Sequence, residues 1–226
     1  MKTKIIDFQN NSNIGLYAYV NDNIMLVGKD IPEEYDEELK NIFQVPICKT
    51  TIAGASFINV FIIGDGKKIM VPSIIFEEEL QELKNMNLQV EVLETKQTCL
   101  GNNIIIAKEK ILVNNDFTEP QIKKIESFFE KPVIKLKNLN LKAIGSLVAI
   151  NHAKQKAIIG NDITDEQYDL MKNLIGYELT PSSINMGSPY LKSGILVNVN
   201  GLAVGKASGG PEVANAEEAL GGLDND

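Results

Sequence analysis

The sequence predicts an α+β wheel: five pseudosymmetric strand-strand-helix-strand (ββαβ) units, a βα-propeller with its helices outside. Three observations predict it: glycines recurring at a near-constant interval, a gapless window common to the units, and a lone N-terminal strand that completes the last one. Gly15, Gly54, Gly101, Gly145 and Gly187 follow one another at 54−15 = 39, 101−54 = 47, 145−101 = 44 and 187−145 = 42 residues. Self-similarity at such a period marks an array or closed ring of supersecondary units.

The window starts at the apolar residue that ends the second strand of each unit, namely Val27, Val71, Val113, Ile159 and Val204. Four positions on stand Ile31, Ile75, Phe117 and Ile163, with Ser208 the exception. Six on stand Glu33, Glu77, Glu119 and Asp165, with Gly210 the exception; twelve on stand Leu39, Leu83, Ile125, Met171 and Ala216. With Tyr35, Leu80, Ile122 and Tyr168 between them, the apolar positions share one helical face. An acid in the first turn complements the helix dipole. Thr118 with Gln121 and Thr164 with Gln167 read as capping boxes, and Pro32 suits a first turn.

Two apolar runs precede each helix: 16–20 and 24–27 around Asn21-Asp22-Asn23, 57–63 and 68–71 around Gly64-Asp65-Gly66, 104–107 and 111–113, 147–150 and 157–159, and 195–199 and 202–204 around Asn200-Gly201. Such turns between β-rich runs are hairpin signals. A third run follows at 45–48, 88–93, 133–136 and 177–179. Unit five has a helix near 212–220 and no third strand behind it, whereas 4–8 is a strand with no unit of its own. Pairing the two closes the ring between the termini and leaves no open edge. The expectation is one domain over 1–226, with units at about 10–50, 51–96, 97–140, 141–182 and 183–220 plus strand 2–8, and an acidic tail at 217–226. A helix in every unit argues against an all-β propeller.

Composition narrows the function classes. Apolar residues make up 44 % of the chain, and no run approaches the length needed to span a bilayer. The start carries no signal-peptide core, since Asp7 and Gln9 interrupt it, so a cytoplasmic protein is expected. All 22 basic residues are lysine, and net charge is −8. That balance disfavours broad binding to nucleic-acid backbone and favours a basic protein partner. Cys48 and Cys99 lie in different units, where buried thiols are expected rather than a disulfide.

Catalytic and metal chemistry find little support. His152, the one histidine, falls in the turn 151–155, where it reads as a solvated loop residue, and nothing requires Cys48 or Cys99 to reach it. One histidine and two scattered cysteines do not supply a metal ligand set. The glycine-rich stretch 205–210 lacks the order of a phosphate-binding loop. No catalytic residue, cofactor or metal is expected. What remains are small and amide residues beside the five glycines: Asn10, Asn11 and Asn13, Ala53 and Ser56, Asn102 and Asn103, Ser146, then Asn185 and Ser188. Gathered at one end of the wheel, they would make an uncharged, hydrogen-bonding docking face.

Asn-Asn-Ser-Asn-Ile-Gly (10–15), Val-Pro-Ile-Cys-Lys-Thr-Thr-Ile-Ala-Gly (45–54), Val71-Pro72, Leu-Gly-Asn (100–102), Ile-Gly-Ser (144–146) and Asn-Met-Gly-Ser (185–188) resemble, in order, the signatures of the archaeal translation initiation factor 6 family. The resemblance runs from residue 1 to about 205. It implies the pentein fold and a monomeric, non-enzymatic factor that binds the intersubunit face of the large ribosomal subunit and blocks the small one. The expected contact is mainly a ribosomal protein with ribosomal RNA nearby, and a further part in large-subunit biogenesis is left open. Carried over by position, the docking face comprises Asn10, Asn11, Gly15, Ala53, Gly54, Gly101, Asn102, Gly145, Ser146, Asn185, Gly187 and Ser188. The pentein fold also hosts guanidine-modifying hydrolases and transferases, so an enzyme is the rival reading. Those place a nucleophilic cysteine in unit five, where this chain has none.

Overall fold

A computed structural model describes residues 1–137, 139, 141 and 143–221. The chain opens on β1 (Lys2–Ile6). Unit one is α1 (Ile14–Tyr17), β2 (Ala18–Val20), β3 (Met25–Gly28), α2 (Asp36–Phe43, entered through a 3-10 turn at Glu33–Tyr35) and β4 (Ile47–Thr50). Unit two is α3 (Ile58–Phe61), β5 (Ile63–Asp65), β6 (Lys68–Pro72), α4 (Glu77–Asn85) and β7 (Gln89–Leu93). Unit three is α5 (Leu100–Asn103), β8 (Ile104–Ile106), β9 (Ile111–Val113), α6 (Glu119–Phe129) and β10 (Val133–Lys135). Unit four begins with a 3-10 turn at Ile144–Ser146 and continues as β11 (Val148–Asn151), β12 (Lys156–Gly160), α7 (Asp165–Ile175) and β13 (Glu178–Ser182). Unit five is α8 (Leu191–Gly194), β14 (Ile195–Val197), β15 (Gly201–Gly205) and α9 (Gly210–Leu220).

Each unit forms one three-stranded sheet, its first strand antiparallel and its third parallel to the strand between them. The ring closes as the sequence predicts. Strand β1 pairs in parallel with β15, from Lys2 opposite Gly201 to Ile6 opposite Gly205, and so supplies the third strand of unit five. It ends before Phe8, which instead bridges to Asn11 in a tight turn.

The middle strands hold the wheel together. Val27, Val71, Val113, Ile159 and Val204 are fully buried under the helix of their own unit, beside Leu39, Leu83, Ile125, Met171 and Ala216. Their strand neighbours Leu26, Met70, Leu112, Ile158 and Ala203 point the other way, as successive strand residues must, and each enters the core of the next unit. A strand buried on both faces reads as a continuous apolar run, and these five do.

Three expectations need correction. The runs 16–20 and 57–63 are not strands throughout, because each opens with a helical turn, α1 or α3, before a strand of three residues. Gly64 and Asp65 belong to β5, and the hairpin turn is Gly66-Lys67. The thiols of Cys48 and Cys99 are only partly buried, and Cys99 precedes α5 instead of lying in a strand. Of the acidic tail, 217–220 continue α9, while 222–226 lie outside the described residues.

Truncating Leu112 to Ala should cost about 3 kcal/mol, as for a large-to-small change in a closed core, and should loosen units three and four together. Urea denaturation followed by circular dichroism measures the loss, and hydrogen exchange should rise in α7 as well as in β9.

Candidate docking face and axial cleft

Strand direction decides which residues share an end of the wheel. Each first strand runs away from a helical turn, each middle strand returns, and each third strand runs parallel to the middle one. The segments joining a third strand to the next helical turn therefore all emerge at one end. These are 7–13, 51–57, 94–99, the described residues 136, 137, 139, 141 and 143, and 183–190, and the five hairpin turns lie at the other end.

The side chain three residues into each helix fastens the loop that opens the same unit. The Glu79 carboxylate accepts from Thr51 Oγ1 (2.5 Å) and from the N–H groups of Ala53 (2.7 Å), Gly54 (2.8 Å) and Phe76 (3.0 Å). Glu212 repeats this with Ser183 Oγ (2.8 Å) and the N–H groups of Met186 (3.2 Å), Gly187 (2.8 Å) and Gly209 (2.8 Å). Both loops hold consecutive left-handed residues, Ala53-Gly54 and Asn185-Met186-Gly187; the N–H groups of Ala53, Gly54, Met186 and Gly187 turn onto the carboxylates, while that of Asn185 donates to Ser208 Oγ. Where the loop offers a carbonyl, the position is glutamine. Gln121 Nε2 donates to Glu94 O (2.8 Å) and Gln167 Nε2 to Leu139 O (2.7 Å), while their Oε1 atoms accept from the N–H of Thr118 and Thr164 in the predicted capping boxes. In unit one the fastener is Tyr35, whose hydroxyl accepts from Gln9 N (2.9 Å). Burial pushes the Glu79 and Glu212 carboxyls up, but the hydrogen bonds they accept outweigh it and hold both below the usual range.

The helical turns themselves form a closed inner ring, each packed on the next. Their second residues are Gly15, Asn59, Gly101, Gly145 and Lys192, spaced at 59−15 = 44, 101−59 = 42, 145−101 = 44 and 192−145 = 47. Gly54 and Gly187 are thus not the equivalents of the other three glycines, since each lies five residues earlier in an exposed loop. A Cβ at Gly15 would stand 2.0 Å from Lys192 O, at Gly101 1.9 Å from Asn59 O, and at Gly145 2.3 Å from Gly101 O. Those three buried glycines set how closely the turns approach. Asn59 and Lys192 replace glycine in the other two units and bridge the ring: Asn59 Nδ2 donates to Gly15 O (2.9 Å) and Lys192 Nζ to Gly101 O (3.1 Å).

The expected docking residues divide accordingly. Asn10, Gly54 and Gly187 are exposed at the loop end, with Asn11, Ala53, Asn185 and Ser188 half-buried beside them. Asn102 and Ser146 bond to each other across the ring (2.9 Å). Asn185 Nδ2 reaches Ser12 O (2.9 Å) and so ties unit five to unit one. Gly15, Gly101 and Gly145 are buried spacers rather than surface. The expected face left out four apolar side chains that stand on this end: Met186 (85 % exposed), Phe76 (54 %), Tyr190 (47 %) and Phe57 (42 %). Phe57 and Tyr190 occupy the same place, just ahead of α3 and α8. That equivalence was legible once the helical turns were placed. The stretch 205–210 serves the fold, its Ala207 N–H donating to Ser12 Oγ and Ser208 Oγ to Asn185 Oδ1.

At the opposite end a cavity of about 150 Å³ runs down the axis between the first strands to Asn59, Gly145 and Lys192, with Asp22 and His152 among its lining. Neither Cys48 nor Cys99 lines it. Among the described residues no three His, Cys, Asp or Glu side chains gather as a metal site would require, and no helix is long and apolar enough to cross a membrane.

A family model, that of the eIF-6 family, matches residues 3–219. The chain belongs to the eIF-6 family. Similar relatives of that family are called translation initiation factor 6. The one from Thermococcus onnurineus is 28 % identical, covering 99 % of this chain and 100 % of its own. That from Sulfolobus acidocaldarius is 27 % identical over 92 % and 94 %. Two solved enzymes share the fold. DDAH from Pseudomonas aeruginosa, complexed with citrulline, superposes with a TM-score of 0.54 at 10 % identity, over 77 % of this chain and 71 % of that one. The cyanobacterial arginine dihydrolase ArgZ gives 0.53 at 10 % identity, over 78 % and 31 %. The eIF-6 chain is a pentein by architecture.

Replacing Glu79 by Ala strands several loop N–H groups and should cost about 2 to 3 kcal/mol, read as a lower urea midpoint with local exchange at 51–55. Because the folded pKa of Glu79 and Glu212 lies below the unfolded value, their contribution is present above pH 4.5 and is lost as pH falls from there through the folded value. Acid titration of the wild type should therefore release loops 51–55 and 184–188 before the core, and the Glu79→Ala chain should lose that early phase at the first loop.

Proposed function

We propose that this chain, a translation initiation factor of the eIF-6 family, binds the intersubunit face of the large ribosomal subunit as a cytoplasmic monomer and sterically blocks the small subunit. The docking face is the loop end of the wheel, and the observation that carries the reading is its make-up. Exposed Met186, Phe76, Tyr190 and Phe57 stand among Asn10, Asn11, Ala53, Gly54, Asn102, Ser146, Asn185 and Ser188. Large apolar side chains amid uncharged hydrogen-bonding groups make a protein contact, with hot spots at the aromatic and methionine positions. A chain without arginine and with net charge −8 suits a basic ribosomal protein as the principal partner, with ribosomal RNA alongside.

The rival reading, a guanidine-modifying enzyme, meets a specific obstacle. A guanidinium drawn into the axial cleft would face the ammonium of Lys192, a like charge in a poorly hydrated place. Fold likeness at 10 % identity carries no chemistry with it.

The double variant Met186→Asp, Tyr190→Ser should fold as the wild type does and lose at least about 2 kcal/mol of binding, a thirty-fold weakening. Co-sedimentation with purified large and small subunits reads this directly. Wild type should pellet with the large subunit alone, and its affinity should change little between low and moderate salt, as for a contact that neutralises few phosphates. Undiminished binding by the double variant would move the docking face elsewhere.

A further inference from the structure

The axial cleft opens at the hairpin end, away from the docking face, and its floor is incompletely satisfied. Asn59 is 5 % exposed. Its Nδ2 is spent on Gly15 O, and its Oδ1 is buried without a hydrogen-bond donor, a costly state for an acceptor. Lys192 Nζ donates to Gly101 O (3.1 Å), which leaves further N–H donors of its ammonium for an occupant. Both residues lean on Gly101, the one through its backbone carbonyl and the other through its ammonium. The floor therefore offers an acceptor that lacks a donor and a cation that, among the described residues, lacks a counter-ion. Above it the walls are apolar, from Ile63, Ile104, Val148 and Ile195, and the Asp22 carboxylate and His152 stand at the exposed rim.

We propose that this cleft binds a small monocarboxylate carrying a hydroxyl group next to its carboxyl group, the carboxylate on Lys192 and the hydroxyl donating to Asn59 Oδ1. A volume of about 150 Å³ suits a molecule of that size. Apolar walls strengthen the ion pair by excluding water. The Asp22 carboxylate at the rim disfavours a dianion, and Lys192 repels a cation. The site is independent of ribosome binding, so failure of either reading leaves the other standing.

The probe is L-lactate, titrated at pH 7 into the full chain labelled for nuclear magnetic resonance, with acetate as the comparator that has a carboxylate but no second donor. Saturable shifts are expected in the Asn59 side-chain amide and the Lys192 ε-methylene, with acetate at least about ten-fold weaker for want of the second hydrogen bond. Lys192→Met should abolish the shifts in a chain whose spectrum is otherwise that of the wild type. Burial lowers the Lys192 pKa to about 8, so wild-type affinity should fall as pH is raised from 7 to 10. Over that range burial keeps Tyr19 neutral by raising its pKa, and desolvation keeps His152 neutral by lowering its own. If Lys192→Met does not fold, this pH profile takes its place. No saturable shift by about 50 mM, an affinity too weak for a built site, would overturn the proposal and leave water on Asn59 Oδ1. Equal binding of acetate, or shifts that persist in Lys192→Met or are flat with pH, would overturn it as well.

Discussion

The wheel depends on one constraint, a middle strand in every unit that is buried on both faces. Leu26, Met70, Leu112, Ile158 and Ala203 serve the next unit's core while their strand neighbours serve their own. No unit can bury its apolar surface alone, so the array must close on itself, and β1 has to reach β15 for unit five to be complete. Closure also aligns the strands, and alignment brings every unit-opening loop to the same end. A surface made of five separate chain segments gains its rigidity from the core beneath it, into which the segments send Phe8, Ile52, Leu136, Leu139 and Ile184.

Around the axis, symmetry is kept where packing demands it and broken where chemistry can use the difference. Gly15, Gly101 and Gly145 permit the close approach of the helical turns, and any side chain there would collide with backbone. Asn59 and Lys192 occupy the same position in the other units and fill the axis with polar groups. At the rim of the ring a single helix position takes, in units two to five, glutamate or glutamine according to whether the loop above it turns N–H or C=O downward, and in unit one Tyr35. The loop conformation and the residue beneath it are therefore one design, repeated with variations.

The sequence revealed the architecture more fully than the site. The gapless window succeeded because it spans the strand-to-helix connection, whose length the packing of the helix on its own strand holds constant; Leu39, Leu83, Ile125, Met171 and Ala216 all lie at the buried end of it. The glycine register failed in two units because it crosses the loops, which bear no such constraint. Gly54 and Gly187 are left-handed loop residues (φ 73° and 91°), whereas the true counterparts, Asn59 and Lys192, are not glycines and look unremarkable in the sequence. Phe57 escaped notice for a related reason: an apolar residue at the head of an apolar run reads as core until the helical turn it precedes is seen. Glu79 was hidden among neighbouring acids, Glu77 and Glu78, that complement the helix dipole.

The central claim, that the loop end covers the part of the large subunit on which the small one must land, is tested most directly by subunit joining. Purified large and small subunits mixed by stopped flow give a rise in light scattering as they associate. The account predicts that prior addition of this chain suppresses that rise in proportion to dose, saturating at one chain per large subunit, and that pre-incubation with the small subunit alone has no effect. An undiminished rise at saturating protein, with the chain still bound to the large subunit, would contradict it.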